Sequence, residues 1–104
     1  MAELMISAII CTHNRAEYLG AAIDSLLAQT LSNIEIIVVD NDYTDTTAEV
    51  VQQRLSETRV RYVYEPVLGL SSARNTGANA ANGDILAYLD DVAVASPQWL
   101  VSLL

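Results

Sequence analysis

The chain of 104 residues contains no lysine, and all five of its cations are arginines: Arg15, Arg54, Arg59, Arg61 and Arg74. A phosphate loop of the Walker type needs a lysine to reach the terminal phosphates, so that kind of site is excluded. Any anionic ligand must be held by arginine, by backbone N–H groups or by a metal ion. With 13 acidic residues the net charge is −8, and a chain of that sign repels phosphate backbones. Nucleic acid is therefore not an expected partner. Cysteine is almost absent. Cys11 stands alone, which excludes an internal disulfide and reads as a buried reduced thiol in a cytoplasmic protein. No apolar run approaches the ~20 residues that a membrane-spanning helix requires. The opening, Met1-Ala2-Glu3-Leu4, lacks the basic stretch of a signal peptide. What the chain does have is apolar content, 52% of its residues, which argues against disorder and suffices for one domain with one core.

Its apolar segments alternate between two periods. Met5 to Cys11 is short and rich in β-branched residues, and predicts a buried strand. Leu19, Ile23, Leu26 and Leu27 recur at helical spacing, which predicts an amphipathic helix over Ala16 to Gln29. Ile34 to Val39 predicts the second strand, ending at Asp40-Asn41-Asp42. Thr46 with Glu49 fits a capping box for a helix running to about Ser56. Val60 to Tyr64 alternates in period two and predicts a more exposed strand. After Pro66 and Gly69, Ser71 or Ser72 is expected to cap a small-residue helix through Ala81. Asn82-Gly83 is expected to stop it in a left-handed cap. Asp84 to Leu89 predicts the fourth strand, and Ser96-Pro97 a helix start. Strand–helix alternation implies an α/β fold: a mainly parallel sheet of about four strands with helices on both faces. Right-handed crossovers then bring the strand C-termini to one edge, the edge where open α/β sheets bind ligands.

Three polar clusters fall on that edge: Thr12 to Arg15, Asp40 to Asp42, and Asp90 with Asp91. Asp40 serves either turn chemistry or as an acceptor for a base N–H or ribose hydroxyls. Asp45 suits a helix cap or first turn. Arg74 stands early in a helix, where the macrodipole gives it no help, so a carboxylate (Asp40 or Asp90) or an anionic ligand must hold it. Asp90 and Asp91 are neighbouring like charges, which calls for a cation or strong donors beside them. Paired acids can hold a hard divalent cation, and such a cation can hold a diphosphate. Val92, next in sequence, has no oxygen to offer. His13 has no second histidine beside it, which argues against zinc. Trp99 and the tyrosines are read as packing.

Five segments in this order resemble family 2 glycosyltransferases with the GT-A fold: CTHNRAEYL (11–19), IIVVDND (36–42), TDTT (44–47), LGLSSARNTG (68–77) and ILAYLDD (85–91). The likeness spans nearly the whole chain. It implies the N-terminal nucleotide-sugar-binding half of such a domain, taking a UDP-sugar or another nucleoside-diphosphate sugar with Mg2+ or Mn2+. Family members transfer the sugar to a hydroxyl by in-line displacement, most with inversion. By the same resemblance Thr12 and Arg15 belong to a first loop beside the nucleotide. Asp40 matches the acid that contacts the base, Arg74 an arginine supporting the nucleotide, and Asp90 the first acid of the D-x-D motif. His13 and Asp42 stand where the family usually carries other residues, and are expected to border the same pocket. Metal is expected on Asp90 and Asp91. Val92 takes the third motif position, whose acid usually ligates, so metal binding is weaker, shifted to Asp91, or absent. The resemblance also implies a complete domain of about double this length, its other half carrying the acceptor site and the catalytic base. No residue here matches that base.

Of three further readings, one stays open and two fall. A non-catalytic nucleotide-binding or scaffold module is favoured by Val92 and the short length. A receiver domain needs a late lysine, and a dinucleotide-binding domain needs Gly-x-Gly-x-x-Gly after the first strand; neither is present. An uncovered sheet edge is expected to drive self-association.

Overall fold

The structure, a computed structural model, describes residues 4–41 and 46–104. The four apolar segments form β1 (Ile6–Thr12), β2 (Ile34–Asn41), β3 (Val60–Glu65) and β4 (Ile85–Tyr88). They pair in parallel throughout, in the order β3-β2-β1-β4. Between and after them lie α1 (Ala16–Leu27), α2 (Thr47–Gln52), α3 (Leu70–Ala80) and α4 (Trp99–Ser102). The predicted α/β architecture is the one observed.

Strand side chains alternate between faces, and here each face has its own core. Ile6, Ala8 and Ile10 of β1 and Ile36 and Val38 of β2 meet Leu19, Ile23 and Leu26 of α1, Val51 of α2 and Leu100 of α4. Ile9, Ile37 and Val39 point the other way and meet Ala73 of α3. The central strands are apolar on both sides for this reason, and β2 is buried along its whole length. The small residues of α3 let it approach the sheet closely. A Cβ built on Gly77 would lie 2.7 Å from Ile9 Cγ2 and 3.2 Å from Val39 Cγ2.

The opposite edge of the sheet is closed by a buried carboxylate. Glu35 accepts hydrogen bonds from the Ser7 hydroxyl, the Asn82 backbone N–H and, at 2.9 Å, Arg61 Nη1. Burial pushes its pKa up, but these donors outweigh burial and hold it below the ordinary glutamate value. An acid inside an apolar strand is tolerated only with such donors.

Several local expectations change. Helix α3 begins at Leu70, with Gly69 before it, so Ser71 and Ser72 lie inside its first turn and cap nothing. Asn82 and Gly83 take no left-handed conformation. Gly83 is needed for space instead: its N–H donates to Ser7 Oγ at 2.8 Å, and a Cβ there would lie 2.7 Å from the Ser7 backbone nitrogen. Thr46 makes no side-chain cap bond, and α2 stops at Gln52, with turns following. α1 ends at Leu27 and the last helix is a single turn. Asp45 and the remainder of 42–45 lie outside the described residues.

Candidate functional site

A cleft of about 540 Å3 opens where the strand C-termini meet the start of α3. Thr12, His13 and Arg15 line it from the end of β1 and the loop after it, Asn41 from the end of β2, and 68–70 with Arg74 from α3 and its approach. Asp90 and Asp91 close it beyond β4. The sequence-predicted residues Thr12, His13, Arg15, Arg74, Asp90 and Asp91 are thus brought to one place.

Asp40 is not among the residues lining this cleft. It is fully buried on the α1 and α2 face, where its Oδ2 accepts a 2.6 Å hydrogen bond from the Tyr62 hydroxyl. Its neighbour Asn41 points to the α3 face and lines the cleft instead. Asp42 lies outside the described residues.

The two acids are unlike each other. Asp91 is 9% exposed, and burial pushes its pKa above the ordinary aspartate value, helped by a hydrogen bond to Asp90. The buried Thr12 hydroxyl and the Arg15 charge pull it back in part. Asp90 is exposed, and its pKa is lowered because Asp91 and the Val92 N–H hydrogen-bond to it. The pair therefore keeps its last proton on Asp91. Val92 itself is 45% exposed and contributes only that N–H, 3.4 Å from Asp90 Oδ1.

Arg74 makes no ion pair among the described residues. Its guanidinium carbon sits 5.6 Å from the centroid of the Tyr88 ring, and the Tyr88 hydroxyl donates to the Arg74 carbonyl at 3.2 Å. A cation held by a ring face keeps its N–H donors available for an anion. Cys11, half-buried in the cleft wall, has its thiol pushed up to about 11, chiefly by burial. It is a neutral thiol near pH 7, not a nucleophile.

The profile of glycosyl transferase family 2 matches residues 7–104. The chain belongs to glycosyltransferase family 2. It is 39% identical over 104 residues to validoxylamine A glucosyltransferase of Streptomyces hygroscopicus subsp. jinggangensis (strain 5008), covering 96% of this chain and 25% of that protein. The chain therefore spans about a quarter of that relative, a smaller share than the half implied by resemblance. Among solved structures, S. aureus TarS 1-349 in complex with UDP-GlcNAc superposes with a TM-score of 0.88 at 22% identity, over 96% of this chain and 30% of that one. The mannosyltransferase PcManGT from Pyrobaculum calidifontis, in complex with GDP-Man and Mn2+, gives 0.80 at 26% identity, over 86% and 28%. These matches establish the fold expected from the motifs. No helix of the described residues is long and apolar enough to cross a membrane.

The family's divalent cation can be tested against this donor set. A small hard cation commonly takes one or two carboxylates and completes its shell with water and phosphate oxygens. Asp90 and Asp91 fit that requirement in number and kind. Among the described residues no group of three His, Cys, Asp or Glu side chains gathers. Sequence reasoning missed Asn41 and Tyr88. A polar residue at the last position of a strand, and an aromatic two residues before the acid pair, were the available signals.

Proposed function

We propose that this chain forms the donor-binding half of a glycosyltransferase. Its cleft takes a nucleoside-diphosphate sugar, with UDP-sugars foremost, and the sugar passes to a hydroxyl acceptor. The observation that carries the reading is the arrangement of the cleft: Arg74 without an acidic partner among the described residues faces the Asp90-Asp91 pair across one opening. PcManGT, the neighbour bound to GDP-Man and Mn2+, supports both the ligand class and a divalent cation.

In this reading Arg74 and Arg15 attract and orient the diphosphate, and Thr12 lines the cleft beside Asp91. Asp90 and Asp91 hold Mg2+ or Mn2+, which when bound neutralises charge growing on the departing diphosphate. The attacking hydroxyl needs a base within about 3 Å, and we assign none to this chain. The 104 residues alone bind donor and do not transfer sugar. A cytoplasmic location suits the lone reduced thiol. The edge of β4, unpaired among the described residues and with Leu86 exposed, is the surface by which the chain associates with itself.

Calorimetric titration with UDP, GDP and dTDP, with and without Mn2+, tests this reading. Binding of at least one, strengthened by Mn2+, is expected. Absence of binding to all three would overturn it. Val92 favours a second reading, a nucleotide-binding module with a degenerate cation site. Binding that Mn2+ does not change would select that one.

A further inference from the structure

Asn41 ties together the two walls of the cleft. It is 4% exposed, and every polar atom of its carboxamide is engaged by the main chain of the last residue of β3 and the segment leading to α3. Its Nδ2 donates to the carbonyls of Glu65 at 3.0 Å and Val67 at 2.9 Å. Its Oδ1 accepts from the Gly69 N–H at 3.0 Å. The orientation is fixed by chemistry, because carbonyls only accept and an N–H only donates. On the other side, the Asn41 carbonyl accepts from His13 Nδ1 at 2.7 Å, so the loop after β1 is anchored to the same residue. The segment it holds is unusual. Gly69 has φ +144, a conformation side chains avoid, and Val67, Leu68 and Leu70 around it are all more than half exposed. Apolar burial does little to order such a stretch. Glu65 adds a second tie, accepting from the Val67 N–H and the Thr76 hydroxyl.

We propose that Asn41 is a positioning residue for the donor cleft: its carboxamide fixes the 65–69 segment, and with it the start of α3 that carries Arg74, in the ligand-ready conformation. It acts through the main chain of that segment. A loop already ordered for binding spares the complex the entropy of ordering it. Aspartate cannot replace it, since a carboxylate would face two carbonyl oxygens with no proton to give. The inference rests on the donor-site reading above, and the experiment separates the two.

The test compares the protein with its Asn41→Asp and Asn41→Ala forms. UDP, GDP and dTDP affinities are measured by calorimetry, and residue-level amide exchange by NMR. In the unaltered protein the Gly69 amide exchanges much more slowly than that of Leu68. In both variants the Gly69 amide exchanges faster, the central sheet amides stay protected, and nucleotide affinity falls roughly tenfold, as expected for several lost hydrogen bonds. Affinity within twofold of the unaltered protein in both variants overturns the inference. So does lost affinity with Gly69 protection intact, which would mean direct ligand contact. If the variants do not fold, fast Gly69 exchange in the unaltered protein overturns it and slow exchange upholds the clamp. If no nucleotide binds the unaltered protein, the donor-site reading fails, and exchange at Gly69 in the variants still decides whether Asn41 orders the segment.

Discussion

Tyr88 holds Arg74 at two points, with its ring beneath the guanidinium and its hydroxyl on the Arg74 carbonyl. Arg74 lies in the first half of α3 and Tyr88 at the end of β4, the strand that follows α3 in the chain. Their contact therefore sets the distance between the arginine and the acids two and three residues beyond Tyr88. The first prediction separates ring from hydroxyl. Tyr88→Phe keeps nucleotide affinity within about twofold, while Tyr88→Leu weakens it about two- to fivefold, the scale of an exposed cation–π contact. Arg74→Ala costs more than either, since the charge itself is lost. Calorimetry with the tightest-binding nucleotide checks the order; Leu binding as well as Phe would remove the ring from the site.

Val92 sets the second prediction. It stands 45% exposed beside two acids, and its side chain packs in no core. Val92→Asp adds an oxygen donor where none exists, at a surface position where stability should change by no more than about 0.5 kcal/mol. Nucleotide affinity in Mn2+ should rise, and affinity without metal should stay level or fall from the added charge. An unchanged response to Mn2+ would show that this position does not face the cation.

How much of this was legible in sequence follows from packing. The strands and their order of alternation with helices are plain because four apolar runs are each bounded by polar turns. Arg74, Asp90 and Asp91 are legible because charges placed after a strand or early in a helix need a reason. The end of β2 is not legible. A strand buried on both faces shows no alternation, so nothing in IEIIVVDN tells which of Asp40 and Asn41 turns toward α3. The answer lies in which helix covers each face. The same holds for Gly83, whose role is room for Ser7 rather than a left-handed turn.

Glu35 gives the third prediction, a dependence of stability on pH. Burial opposes its charge, but Ser7, Asn82 and Arg61 outweigh burial and lower its pKa in the fold. A lowered carboxylate pKa means stability that is present above the unfolded value of 4.5 and lost as pH falls through the folded one. Glu35→Gln removes that contribution and weakens the contact with Arg61. It should cost roughly 1–3 kcal/mol at neutral pH. The gap between the two proteins in urea unfolding should then narrow as pH drops below 4.5. A gap constant with pH would mean the carboxylate charge contributes nothing to the fold.

Gly77 links the core to the cleft. Its missing side chain lets α3 lie against Ile9 and Val39, both fully buried and unable to move aside. Gly77→Ala gains up to ~1 kcal/mol of helix propensity. It also forces a methyl to 2.7 Å from Ile9 Cγ2, which must displace the helix. Overpacking of this kind costs about 1–3 kcal/mol, so the net effect is destabilising. Arg74 lies one turn earlier on the same helix, and a shifted α3 carries it away from Tyr88. Urea unfolding should show the stability loss, and calorimetry a parallel fall in nucleotide affinity. Ile9→Ala makes room for the new methyl, so the double variant should be more stable than the sum of the two single losses allows. Strict additivity would show that Ile9 is not what Gly77 makes way for.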